Sequence, residues 1–172
     1  MVSVVGIIII CISCVGLFGL LQSFILQGGS NPIYDFMGIS SSFRLFLIIW
    51  GALGSLLFLA FGILSKKYSG NPEKSKYIII MGFTYLGVQI AGVLINISTY
   101  TRILDSTWIK EYYSLLNISP DIAGITANII AGIITFSTVI GHIIGITLPI
   151  LLIVGGFKLN KVKTGNISEF IK

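Results

Sequence analysis

IAGITANIIAGIITFSTVIGHIIGITLPILLIV, residues Ile122 to Val154, contains no Asp, Glu, Lys or Arg. A run of about 20 apolar residues is the length at which one α-helix crosses roughly 30 Å of hydrocarbon while pairing its backbone N–H and C=O groups within itself. Three more apolar runs precede it, Val2 to Leu26, Phe43 to Leu64 and Tyr77 to Ile97, with Arg44 their one Asp, Glu, Lys or Arg. The pattern predicts an all-α integral membrane protein, an antiparallel bundle of four transmembrane helices.

Composition agrees. Charged residues make up 10% of the 172, against roughly 25% in soluble domains, so the polar surface of a water-soluble fold is missing. The net charge of +5 does not indicate nucleic acid, because the basic residues fall only between the apolar runs and at the end. Lys66, Lys67, Lys74 and Lys76 lie in the second connection and Lys158, Lys161, Lys163 and Lys172 in the tail. Arg44, Arg102 and Lys110 fall on the opposite side with Asp35, Asp105, Glu111 and Asp121. The positive-inside rule then puts both termini in the cytoplasm and the chain in the cell membrane. The first run carries no Lys or Arg before it and is about twice the length of a signal-peptide core, so it reads as a retained span.

One membrane domain, 1–172, follows: spans near 2–26, 43–64, 72–97 and 120–156, outer loops 27–42 and 98–119, a cytoplasmic loop 65–71 and a cytoplasmic tail 157–172. Asn31-Pro32, Asn71-Pro72 and Ser119-Pro120 pair a capping residue with proline at the first helical position, where a missing N–H costs nothing. Ser40, Ser41 and Ser42 do similar work before Phe43. The last run, 33 residues or roughly 50 Å of helix, exceeds the hydrocarbon thickness. It must either tilt and protrude or turn inward near Gly132, with a kink where Pro149 removes the bond to the Gly145 carbonyl. In the second outer connection Trp108, Ile109, Tyr112, Leu115 and Leu116 recur at helical spacing, which fits an interfacial helix or a loop folded over the bundle.

Chemistry is harder to find. No Asp, Glu, Lys or Arg lies in the middle of any span, so the ionisable groups that ion-coupled transporters need are missing. His142 is the sole histidine. It reads as a neutral imidazole bonded to a carbonyl or to Ser137 or Thr138, or as a contact to a haem or quinone shared with a neighbouring subunit. Cys11 and Cys14 share a helix face. In length and span count the chain resembles the four-helix quinone-linked disulfide oxidoreductases, the vitamin K epoxide reductase type among them. That resemblance would imply reactive cysteines near the membrane surface, and one branch carries a second pair in the loop matching Ser98 to Asp121. Here that loop has no Cys, and Cys11 and Cys14 fall near mid-bilayer, where a thiolate is disfavoured, so they read as small packing residues. Two Cys and one His fall one ligand short of a structural zinc site.

Small residues dominate the spans. Gly141 and Gly145 form G-x-x-x-G, and Gly87 with Ala91, Ala127 with Ala131 and Gly51 with Ser55 extend the pattern, as expected where helices associate by close packing. Gln22, Gln89, Asn96 and Asn128 are expected to lock neighbouring helices together. Alternatively Gln89, Asn96, Asn128 and Thr135 line a path for uncharged solutes. Asn117 heads a glycosylation sequon on the outer side, with Pro120 following it. No internal repeat, nucleotide loop or metalloprotease helix is present.

These readings predict a small structural or accessory subunit of a larger membrane complex, of the respiratory or electron-transport kind, contributing packing and not enzymatic chemistry. It would have no cofactor of its own, with membrane lipid and other integral subunits as partners. A homo-oligomeric channel or carrier for neutral solutes is the alternative, and a quinone-linked thiol redox protein a weaker one.

Overall fold

A computed structural model describes residues 1–27, 38–104 and 107–170. Asn31-Pro32, Asp35 and Asp105 lie outside them, as do the side chains of Arg102, Tyr112, Lys163 and Asn166. Among the described residues every regular element is helical, and four helices are long and apolar enough to cross a membrane. These are α1 (Val2–Gln27), α2 (Ser41–Tyr68), α3 (Ser75–Leu104) and, after the short α4 (Thr107–Leu115), α5 (Pro120–Phe170). A 3₁₀ turn, Pro72–Lys74, leads into α3.

The local signals act as their chemistry dictates. Ser40 takes the Phe43 amide on its hydroxyl at 3.3 Å, and Asn71 takes the Glu73 amide at 3.0 Å, each satisfying a donor that a helix start leaves orphaned. The Pro120 start of α5 follows Ser119 as the proline rule requires. At the end of α4, Asn117 adopts φ 56°. Its amide bonds the Ser114 carbonyl at 3.1 Å and the Ile118 amide bonds that of Tyr113 at 3.3 Å. That pair of bonds is the Schellman closure, for which asparagine is a common substitute for glycine.

The last helix takes the first of the two forms expected of it. It is one continuous element of 51 residues, without a turn at Gly132, and it does not stop near residue 156. Pro149 sits inside it. The proline forfeits one hydrogen bond, while the residues beyond Gly155-Gly156 supply no second proline to end the helix. The stretch 157–170, expected as a tail, is therefore its continuation.

Neighbours are set by where glycine lets backbones approach. A Cβ on Gly6 would stand 2.8 Å from the Gly62 carbonyl oxygen, and one on Gly62 would stand 2.9 Å from that of Gly6. Further along, Gly16 faces Ser55 and Gly51 faces Leu20. Between α3 and α5, Gly82 lies on Ile153 and the Pro149 carbonyl, Gly156 on Ile79, and Gly145 on Gln89. Ser75 ties the same two helices, its hydroxyl donating to Asn160 at 3.2 Å. Phe58 of α2 stacks on Tyr85 of α3 with centroids 3.9 Å apart, and Val2 of α1 rests on Gly155 of α5.

The main core lies at one end. Val2, Val5, Ile9, Ile78, Met81, Tyr85, Leu148 and Leu152 form it, with Phe58, Phe61, Leu64 and Tyr68 packed against it. At the opposite end Ile109 of α4 and Ala123 and Ala127 of α5 are buried. Between these two places, no residue in 14–22, 41–61, 86–97 or 128–144 is buried.

Candidate functional site

That unburied middle zone contains a groove between α3 and α5, of about 350 Å³, lined by Gln89, Gly92, Val93, Asn96, Thr138, Gly141 and His142. Three residues singled out for their chemistry, Gln89, Asn96 and His142, thus meet at one place. Two sequence intervals bring them there. Gln89 and Asn96 are two turns apart on α3, Thr138 and His142 one turn apart on α5, and those faces oppose each other because Gly145 admits the Gln89 amide, whose Oε1 would lie 3.1 Å from a Cβ. Trp50 of α2 reaches the rim, its Nε1 standing 3.6 Å from where Gly92 would carry a Cβ.

The polar groups here are held chiefly by their own helices. His142 Nδ1 lies 2.6 Å from the Thr138 carbonyl oxygen. A carbonyl only accepts, so the Nδ1 proton makes that bond, and in the neutral ring Nε2 carries the lone pair. Asn96 donates its amide to the Gly92 carbonyl at 2.8 Å, Thr135 its hydroxyl to that of Ala131 at 2.7 Å, and Thr147 to that of Ile143 at 2.7 Å. Gln89 bonds Tyr85, one turn back on α3. These bonds run along α3, while the Gln89 amide also rests against Gly145 of α5. A bond one turn back along the same helix is available before any partner arrives, and it engages only one of the two N–H donors of a side-chain amide.

The other candidates separate. Asn128 is exposed and lies outside the groove lining, and Thr135 is half-buried on α5. Gln22 is exposed on α1. Of the glycine and alanine positions, Gly51, Ser55 and Gly145 sit at helix contacts and Ala127 is fully buried, with Ala91 and Ala131 half-buried. Gly87 and Gly141 have nothing within 4 Å of a Cβ. The closest approaches instead involve Gly6, Gly62, Gly82, Gly155 and Gly156. Cys11 and Cys14 are free thiols, both exposed on α1. Asn117 is exposed in the turn after α4.

Among the described residues no three His, Cys, Asp or Glu gather as a metal site. The groove as built offers amide, hydroxyl and imidazole side chains, with no Asp, Glu, Lys or Arg, in an otherwise apolar wall. That arrangement suits hydrogen bonding to a neutral group or to a polar residue of another helix. Compared with models of known protein families, with curated proteins and with solved structures, the chain matches none. Fold and site together define a membrane-embedded protein of four apolar helices.

Proposed function

We propose that this chain is a structural or accessory subunit of a larger membrane assembly, with respiratory and electron-transport complexes the first to examine. The observation that carries this reading is the unburied middle of the bundle. Over 14–22, 41–61, 86–97 and 128–144 the chain builds no core of its own, yet it places Gln89, Asn96 and His142 together there. Lipid tails satisfy apolar side chains but not polar ones, and a polar residue on a neighbouring helix does. In this reading the chain is an antiparallel four-helix bundle in the cell membrane. The pairs Gly6 with Gly62, Gly16 with Ser55, Gly156 with Ile79 and Gly145 with Gln89 support that direction, since numbers rise along one helix as they fall along the next. Both termini lie in the cytoplasm by the lysine distribution, and α4 lies at the outer interface, its Ile109 turned inward and Leu115 and Leu116 exposed.

Extraction from native membranes in mild detergent tests it. The expected outcome is co-purification with stoichiometric companion chains and, for the chain expressed alone, no visible absorption band. Recovery from native membranes as a lone homo-oligomer removes the proposal. The alternative, a homo-oligomeric channel or carrier for uncharged solutes, draws on the convergence of Gln89 and Asn96. It is weaker because Asn128 does not join them. Solute flux through vesicles containing this chain alone would establish it. A haem or quinone contact at His142 belongs to the first reading, as a group shared with a neighbour.

A further inference from the structure

We propose that the lysine-rich end of the molecule holds the phosphate of an anionic phospholipid, in the cavity that α1, the end of α2 and α5 enclose there. Three observations combine. The first is charge. Lys66 and Lys67 close α2, Lys74 and Lys76 flank the start of α3, and Lys158 and Lys161 stand on α5. The Ser75 to Asn160 bond and the Val2 to Gly155 contact bring these elements to one level. Against these six lysines, Glu73 is the one carboxylate at this end among the residues whose side chains are described.

The second is a cavity of about 230 Å³ whose lining is mixed: Val2, Gly155, Leu159 and Val162 give apolar walls, while Ser69 and Lys158 give polar ones. Lys66 lies one turn before Ser69, whose hydroxyl donates to the Lys66 carbonyl at 2.9 Å. A free anion has no use for the apolar walls. A phospholipid uses both, its phosphate beside Lys158 and Ser69 and its glycerol and first methylenes against Val2 and Gly155, on the bilayer side of that lysine, towards the exposed Val154 one turn below it. The third is depth. Lys74 stands 5.2 Å from the centre of the Tyr77 ring, and Tyr77 lies 6.3 Å from Tyr68, the pairing of aromatic ring and extended cation that marks headgroup level. Basic pockets between spans at that level recognise anionic headgroups.

Native mass spectrometry of the full chain, in micelles doped equally with phosphatidylglycerol and phosphatidylcholine, tests the site. Phosphatidylglycerol is expected to be retained in preference to phosphatidylcholine. Lys158→Gln should lower that retention about fivefold, the weight of one lysine near an anionic surface, while Lys110→Gln, at the other end, leaves it unchanged. Lys158 is exposed, so helicity and thermal midpoint should match the parent. Equal retention of both lipids, or parent-like retention by Lys158→Gln, overturns the proposal. So does displacement of the lipid by millimolar inorganic phosphate, which would make the site one for a free anion.

Discussion

At the scale of single residues, glycine does most to decide which helices meet. At Gly82 an added Cβ would lie 2.6 Å from Ile153 Cγ1 and 3.1 Å from the Pro149 carbonyl, so Gly82→Val must push α3 from α5. We expect a loss of about 1–3 kcal/mol, the usual cost of overpacking, read as a lower midpoint in detergent unfolding. Gly141→Val, where nothing stands within 4 Å, should stay within about 0.5 kcal/mol. The sequence pattern paired Gly141 with Gly145, of which Gly145 meets Gln89 and Gly141 meets nothing, because small-residue spacing reports which positions permit close approach and not which way each helix is turned. The dipeptide Gly155-Gly156 and the isolated Gly6, Gly62 and Gly82 carry no spacing signal; their role appears only once partners are paired. His142 was legible as the sole histidine, but its convergence with Gln89 and Asn96 depended on the same rotation. His142→Phe removes the bond to Thr138 while keeping ring volume. The expected result is an unchanged spectrum of the isolated chain and loss of companions on native purification; retained companions with a vanished visible band would make His142 a cofactor ligand instead.

At the scale of elements, starts were easier to read than ends. Ser40, Asn71 and Ser119-Pro120 each announce a helix through a local rule, and each sits at or beside one. The end of α5 was not legible, since glycine and lysine near residue 156 resemble a stop signal, and helix continuation through them depends on no marker residue. The end of α4 hinges on Asn117 at φ 56°. Asn117→Val should cost about 1–2 kcal/mol, because a branched side chain meets the carbonyl in left-handed backbone, whereas Asn117→Gly should cost nothing. Faster amide exchange across Thr107–Leu115 in the valine variant, with parent-like exchange in α1, would display the effect where it belongs.

For the whole molecule, hydropathy alone revealed four spans, and the order of contacts among them came from long-range packing that no local window contains. The seam between α1 and α5 is the most specific consequence. A Cβ on Gly155 would lie 3.8 Å from that of Val2, which matches the separation of a relaxed disulfide. In a chain with Cys11 and Cys14 replaced by Ser, the pair Val2→Cys and Gly155→Cys should close within the molecule on mild oxidation, visible as a mobility shift reversed by reductant. Persistently free thiols would mean that α1 packs elsewhere. The length of α5 bears on motion at the same scale. The 14 residues after Gly156 that stay helical amount to roughly 20 Å of rod beyond the last glycine. A change of about 20° in the inclination of this span, no more than bilayers of unequal thickness impose, swings the tip of that rod by about 7 Å. A rigid mast stepped in the bilayer turns membrane thickness into displacement that a neighbouring chain in the aqueous phase can feel.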